Sequence, residues 1–275
     1  MHVHHAPDLT MPTRADALDT AKQARQMGMR AIVLKNQCYP TTPLATMVNQ
    51  MVPEIKVFGS ICLEYEVGGL NFYALESSAK LGARVVWMPT HSSKTSMLSS
   101  SRLAGAVVDG NGLYILNAEH KLVPEMGRIL SLIKEYDMVV ASGHISSLET
   151  LVLAEEAIAM GITKFVITHA STHSFERSLN LEQQHRLGQM GVFIEYIYVG
   201  FLPNESRDDP LNLVKAIRNV GAEHCIISTD LGQYYNPSPA EGMRMFIALL
   251  IKNGITEREI ELMVKVNPAK LLGLD

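Results

Sequence analysis

His2, Val3 and His4 place two imidazoles on one side of an extended segment with one apolar residue between them, because alternate side chains of a strand share a face. Neutral imidazole is the commonest protein ligand for zinc and similar metals, so the pair is half of a tetrahedral or five-coordinate site. An isolated HVHH start is more often a tag remnant or a disordered terminus. What decides is whether the rest of the chain supplies the other half. His144 ends the run DMVVASGH, His169 ends KFVITH and Asp230 ends CIISTD. A lone His after a strand is more often an N-cap or a satisfied polar group, and a lone Asp can cap a turn. Five metal-competent residues in register at the ends of four apolar runs make coincidence a poor explanation.

The elements that must position them alternate. After His2 to His5 come apolar runs at Ala31 to Leu34, Val57 to Cys62, Arg84 to Met88, Met138 to Ala141, Phe165 to Thr168, Val192 to Tyr198 and Cys225 to Ser228. Most lack polar alternation, as parallel strands covered on both faces do. Helical stretches lie between them, among them Ala15 to Met27, Ala74 to Leu81, Val123 to Tyr136, Leu148 to Met160 and Leu211 to Val220. Gly28, Gly82, Gly161, Gly191 and Gly221 end helices just before the next strand, and Ser146 with Glu149 and Thr256 with Glu259 fit capping boxes. Strand then helix, eight times, predicts a single-domain α/β chain over residues 1–275, a (β/α)8 TIM barrel with its site at the carboxyl ends of the strands. An open doubly wound sheet is the alternative, but no GxGxxG follows an early strand. The serine-rich connection from His91 to His120 reads as an insertion, with a hairpin over Gly105 to Leu116 turning at Asp109 to Gly112.

Composition narrows the function classes. The chain of 275 residues is 47% hydrophobic and 19% charged, with net charge −4. Lys and Arg are scattered, so duplex nucleic acid and anionic membranes are not expected partners; a small-molecule substrate is. Cys38, Cys62 and Cys225 show no CxxC spacing and read as reduced, predicting a cytoplasmic protein. No apolar stretch reaches the roughly 18 residues that span a bilayer, and no signal peptide precedes His2. The chain begins almost on its first strand, which suggests that residues precede it. Subunit association is common for such barrels, and a homo-oligomer is a possible assembly.

His-x-His on strand one, His144 on strand five, His169 on strand six and Asp230 on strand eight resemble the ligand pattern of the amidohydrolase superfamily of metal-dependent hydrolases, and the ending NPAKLLGL is similar to tails found there. HVHHAPD, the SGH and THA strand ends and STDLGQ look like those of an uncharacterised subgroup. The resemblance implies a metal-dependent hydrolase in which Asp230 moves a proton from water to the leaving group and His169 is a further ligand or stabilises an oxyanion. Binuclear members carry a carboxylated Lys or a Glu at the end of strand four. Here that strand ends Trp87, Met88, Pro89, Thr90, His91. The expectation is therefore one divalent ion, zinc first, on His2, His4, His144 and Asp230, with two ions if Lys35 or Glu64 replaces the bridge.

Other polar residues near strand ends shape the expected pocket. Lys35 is placed to hold a substrate anion, with Gln233, His173 and Arg102 as further substrate contacts; Glu195, Tyr196 and Tyr234 are weaker candidates, since tyrosines usually pack with a tethered hydroxyl. Three functions compete. The first is hydrolysis of an amide, ester or lactone; the second is a metal-dependent decarboxylase or lyase, which a cationic cradle of Lys35 and Arg102 would favour; the third is a barrel that binds metal or ligand without turnover.

Overall fold

The computed structural model describes residues 1–99, 112–170, 178–203, 205 and 207–274. Its strands are β1 (Val3–His4), β2 (Ala31–Lys35), β3 (Lys56–Phe58), β4 (Ser60–Cys62), β5 (Val85–Trp87), β6 (Val139–Ala141), β7 (Phe165–Ile167), β8 (Phe193–Ile197) and β9 (Cys225–Ser228). All neighbours pair in parallel, β1 to β3 in one ribbon and β4 to β9 in another. Two links join the ribbons into the expected α/β barrel. At one seam the Asp230 amide donates to the His2 carbonyl at 3.1 Å and the His4 amide to the Leu231 carbonyl at 2.9 Å.

At the other seam the third barrel position, expected as one strand over Val57 to Cys62, is broken at Gly59. A Cβ there would lie 2.3 Å from the Thr42 Cα, so the start of helix α2 (Thr42–Met51) presses into the strand. Side chains take over the pairing. Thr41 Oγ1 donates to the Leu34 carbonyl at 2.9 Å and accepts from the Ser60 amide at 2.8 Å, while Ser60 Oγ donates to the same Leu34 carbonyl.

The unbroken apolar runs are explained by burial on both faces. Val33, Phe58, Val85, Val139, Val166, Phe193 and Ile226 meet inside the barrel, where Leu271 and Leu272 of the last helix (Asn267–Leu272) join them. The intervening Val86, Val140, Ile194 and Ile227 face the helical layer. Alternation of this kind fixes where a polar residue goes. Lys35, Trp87 and Glu195 each follow an interior residue by two, so their side chains enter the barrel interior rather than solvent.

Helix boundaries follow local chemistry. Ser146 caps α6 (Ser147–Ala159) in a capping box with Glu149, and Thr256 does the same with Glu259. Asp209 and Pro210 start α8 (Pro210–Val220), and Gly221 ends it. In the long connection after β5, α4 (Lys94–Ser99) forms, Ser93 pairs with Leu113, and Leu116 turns back onto Leu122. The hairpin turn expected at Asp109 to Gly112 falls, apart from Gly112, outside the described residues. No helix among the described residues is long and apolar enough to cross a membrane.

Candidate metal centre

The polar strand ends converge. His2 Nε2 and His4 Nε2 each lie 2.9 Å from Asp230 Oδ1, and Asp230 Oδ2 lies 3.8 Å from His169 Nε2. Donor atoms of His2, His169 and Asp230 all fall within 4.8 Å of one another. His144 joins at the far side, its Nε2 3.3 Å from that of His169. His2, His4 and His169 are buried. Thus all five expected ligands meet at one place, and His169 stands among the donors.

Backbone geometry is unusual where these residues sit. His169 and Asp230 have φ of 34° and 55°, the left-handed region that residues with a Cβ seldom occupy and that concentrates at functional sites. Two glycines let backbone segments close in beside these residues. At Gly143 (φ 61°) a Cβ would lie 2.2 Å from the Met88 carbonyl oxygen, and at Gly232 (φ 156°) 2.4 Å from that of His4.

Around the donors lies a ring of supporting groups. His2 Nδ1–H donates to Glu195 Oε2 at 3.1 Å, which turns Nε2 toward Asp230 and the other donors. His144 Nδ1 is 3.1 Å from Ser96 Oγ. Trp87 packs on the His2 ring, centroids 4.7 Å apart. Burial penalises the charged imidazoles most and holds His4 at about 4 and His169 at about 3, against a neighbouring Asp230 that favours the charge; both are neutral at pH 7, the ligand form. At His2 burial also opposes charge, but Asp230 and Glu195 outweigh it and the pKa rises. The Asp230 carboxyl is penalised by burial, yet its contacts with His2 and His4 hold it well below the usual range.

Lys35 departs from expectation. Instead of standing at the mouth for a substrate anion, it is 1% exposed, with Nζ 3.0 Å from His2 Nε2 and 4.7 Å above the Trp87 ring. The reason is its parity with Val33 in β2. An ammonium there shares a donor with any ion.

Glu64 is not a solvated strand end either. It is fully buried, accepting from the Thr90 amide at 2.6 Å, the Thr90 hydroxyl and the Ser92 amide at 2.7 Å. Its oxygens are spent on the loop after β5, so it does not serve as a metal bridge. Gln233 ties its own loop together, donating to the Asp230 carbonyl at 3.0 Å and accepting from Asn236. The Tyr196 hydroxyl is tethered to Gln184 away from the centre, and Tyr234 is exposed beside Tyr235. His173 and Arg102 lie outside the described residues. Glu195 was the supporting residue most open to detection: it is the one carboxylate inside the apolar run Val192 to Tyr198, and a buried charge needs a partner.

The donor set fits a divalent ion such as zinc: imidazoles, those of His4 and His169 neutral, and one carboxylate, with donor separations of a few ångströms and with His4 Nδ1 buried and lacking a protein partner among the described residues. His2, His4, His169 and Asp230 are the residues that would hold it.

The architecture is shared with solved enzymes. An amidohydrolase from Pseudomonas aeruginosa superposes with a TM-score of 0.62 at 12% identity, covering 98% of this chain and 95% of that one. A putative 2-pyrone-4,6-dicarboxylic acid hydrolase from Pseudomonas putida gives 0.64 at 18% identity over 100% and 96%. An organophosphorus hydrolase from Deinococcus radiodurans gives 0.61 at 15% identity over 93% and 82%. These likenesses show that the chain has the barrel fold of the amidohydrolases. No curated protein matches it in sequence. The profile of one family matches residues 1–195, and the chain therefore belongs to that family, a family of unknown function (DUF6282).

Proposed function

We propose that the protein is a metal-dependent hydrolase that cleaves an amide, ester or lactone bond of a small molecule. The observation that carries this reading is the cluster of His2, His169 and Asp230 donor atoms within 4.8 Å, where the strands' carboxyl ends open to substrate.

A divalent ion held by these residues would supply an activated water, its pKa lowered toward about 7, and a Lewis acid for the substrate carbonyl. Asp230 is ionised, and its Oδ2 is the oxygen not engaged by His2 and His4. It accepts the proton of the attacking water and passes it to the leaving group, general acid-base work of about 10² to 10⁴ in rate. Glu195 keeps the His2 ring in the tautomer that presents Nε2. Trp87 and the buried strand ends keep bulk water from the imidazoles.

The test is hydrolysis of a panel of activated esters, lactones and N-acyl amides by zinc-loaded wild type and Asp230→Asn. Turnover by the wild type that falls at least 100-fold in the variant supports the reading. Equal turnover by both, or none by the wild type over all three bond classes, contradicts it.

A further inference from the structure

The loop after β5 carries a group to which no role has been assigned. His91 follows the strand at the fourth barrel position and is half-buried. In a ring of eight positions the fourth stands opposite the eighth, where Asp230 follows β9, and a substrate in the mouth lies between the two. The imidazole belongs to the same site. Its centroid is 6.0 Å from that of His144, and Asp230 acts on it electrostatically.

The loop holds that ring in place. Glu64 grips the residues on both sides of it, Thr90 through amide and hydroxyl and Ser92 through its amide. Ser92 Oγ accepts from the Tyr65 amide at 3.2 Å, and Ser93 Oγ donates to the His144 carbonyl at 2.9 Å. A side chain on so tethered a backbone loses little freedom when a ligand meets it.

The chemistry of the ring follows from its surroundings. Nδ1 is buried and has no hydrogen-bond partner among the described residues. Burial opposes charge on the ring, and a neutral imidazole has one N–H and one lone pair. A buried N–H without an acceptor is rarer in folded proteins than a buried lone pair without a donor. The proton therefore belongs on Nε2, at the other edge of the ring. Three carboxylates, those of Glu64, Asp8 and Asp230, act on His91 against the ammonium of Lys35, which is turned to His2. A donor so surrounded favours a neutral carbonyl oxygen over an anion. Asp230 serves the leaving group, so the acyl substituent extends the other way, toward the fourth position.

We propose that His91 is a substrate-binding residue that donates a hydrogen bond to a second, neutral carbonyl on the acyl side of the substrate. This rests on the hydrolase reading above and narrows its substrate class to acyl compounds that carry a keto or amide oxygen beyond the scissile bond. A site built to hydrogen-bond such a group discriminates against the analogue that lacks it.

The experiment uses p-nitrophenyl esters of 4-oxopentanoic and 5-oxohexanoic acids, each paired with the branched acid that has CH–CH3 in place of the keto group. kcat/KM is measured for zinc-loaded wild type, His91→Ala and His91→Gln, whose amide reaches about as far as Nε2. Circular dichroism and zinc content are recorded for all three. The readout is the ratio of keto to branched ester within each protein, because the intrinsic reactivity of the esters cancels between proteins and a merely structural defect slows both alike. The proposal predicts a ratio that falls about tenfold in His91→Ala for at least one pair and is largely restored in His91→Gln, with zinc content unchanged. A ratio that stays within threefold of wild type for both pairs overturns it and leaves the hydrolase reading intact. Zinc lost from the folded variants also overturns it. No turnover of any of these esters by the wild type overturns it as well, and the wider panel of esters, lactones and amides then decides the hydrolase reading separately.

Discussion

Replacing Glu195 by Gln keeps the shape of the residue and removes its charge, and the structure gives the size of the effect. Burial disfavours the carboxylate, but the facing His2 and His169 more than compensate, and the pKa falls from 4.5 to about 2. A depressed carboxylate stabilises the fold fully above its unfolded pKa, and that contribution is lost as pH falls through the folded one. Two and a half pKa units correspond to about 3 kcal/mol at pH 7, a large part of a typical total of about 5 to 15 kcal/mol. Gln retains an acceptor for His2 Nδ1–H, so metal-free Glu195→Gln should lose about 2 to 3 kcal/mol in denaturant melts at pH 7, and the gap to wild type should narrow as pH falls from 4.5 toward 2. Without the carboxylate, His2 Nε2 is also a weaker donor, and zinc affinity should drop about 10- to 100-fold in a chelator competition assay. A folded variant with unchanged pH 7 stability and zinc affinity within twofold of wild type would refute this role for Glu195.

Other consequences can be checked in the same way. Neutral His4 and His169, held at about 4 and 3, contribute stability that is present above pH 6.5 and lost as pH falls through those values; His2, raised, acts in the opposite direction. The melting temperature of metal-free protein should therefore fall steadily between pH 6.5 and 4.5. Gly143→Ala puts a Cβ on the Met88 carbonyl at φ 61°; the left-handed backbone alone costs about 1 to 2 kcal/mol, so the variant should lose at least that much stability in denaturant melts. Ser146→Ala removes the cap of α6 and should cost about 1 kcal/mol with no change in zinc binding.

The strands and the five converging polar residues were legible because their signals are local. An apolar run followed by His or Asp is written in about eight consecutive residues, and burial on both faces makes the run unbroken. The supporting residues needed register. Lys35 reads as a strand end until β2 is seen to bury Val33 inward, and then the same parity carries its ammonium to His2. Glu195 follows Phe193 in the same way. Glu64 finds its partners Thr90 and Ser92 across adjacent barrel positions, 26 and 28 residues on, a separation that no periodicity marks. Ser96 carries no sequence signal for its contact with His144. The break at Gly59 depends on the approach of α2, which is a matter of packing rather than of the strand's own residues.

The most direct test of the central claim is the zinc content of untagged wild type and of Asp230→Asn after supplementation and dialysis, with circular dichroism to show that both are folded. The account predicts at least one ion per wild-type chain and a clear loss in the variant, since Asp230 Oδ1 touches both His2 and His4. A wild type that holds no ion, or a variant that holds as many as wild type, would contradict it.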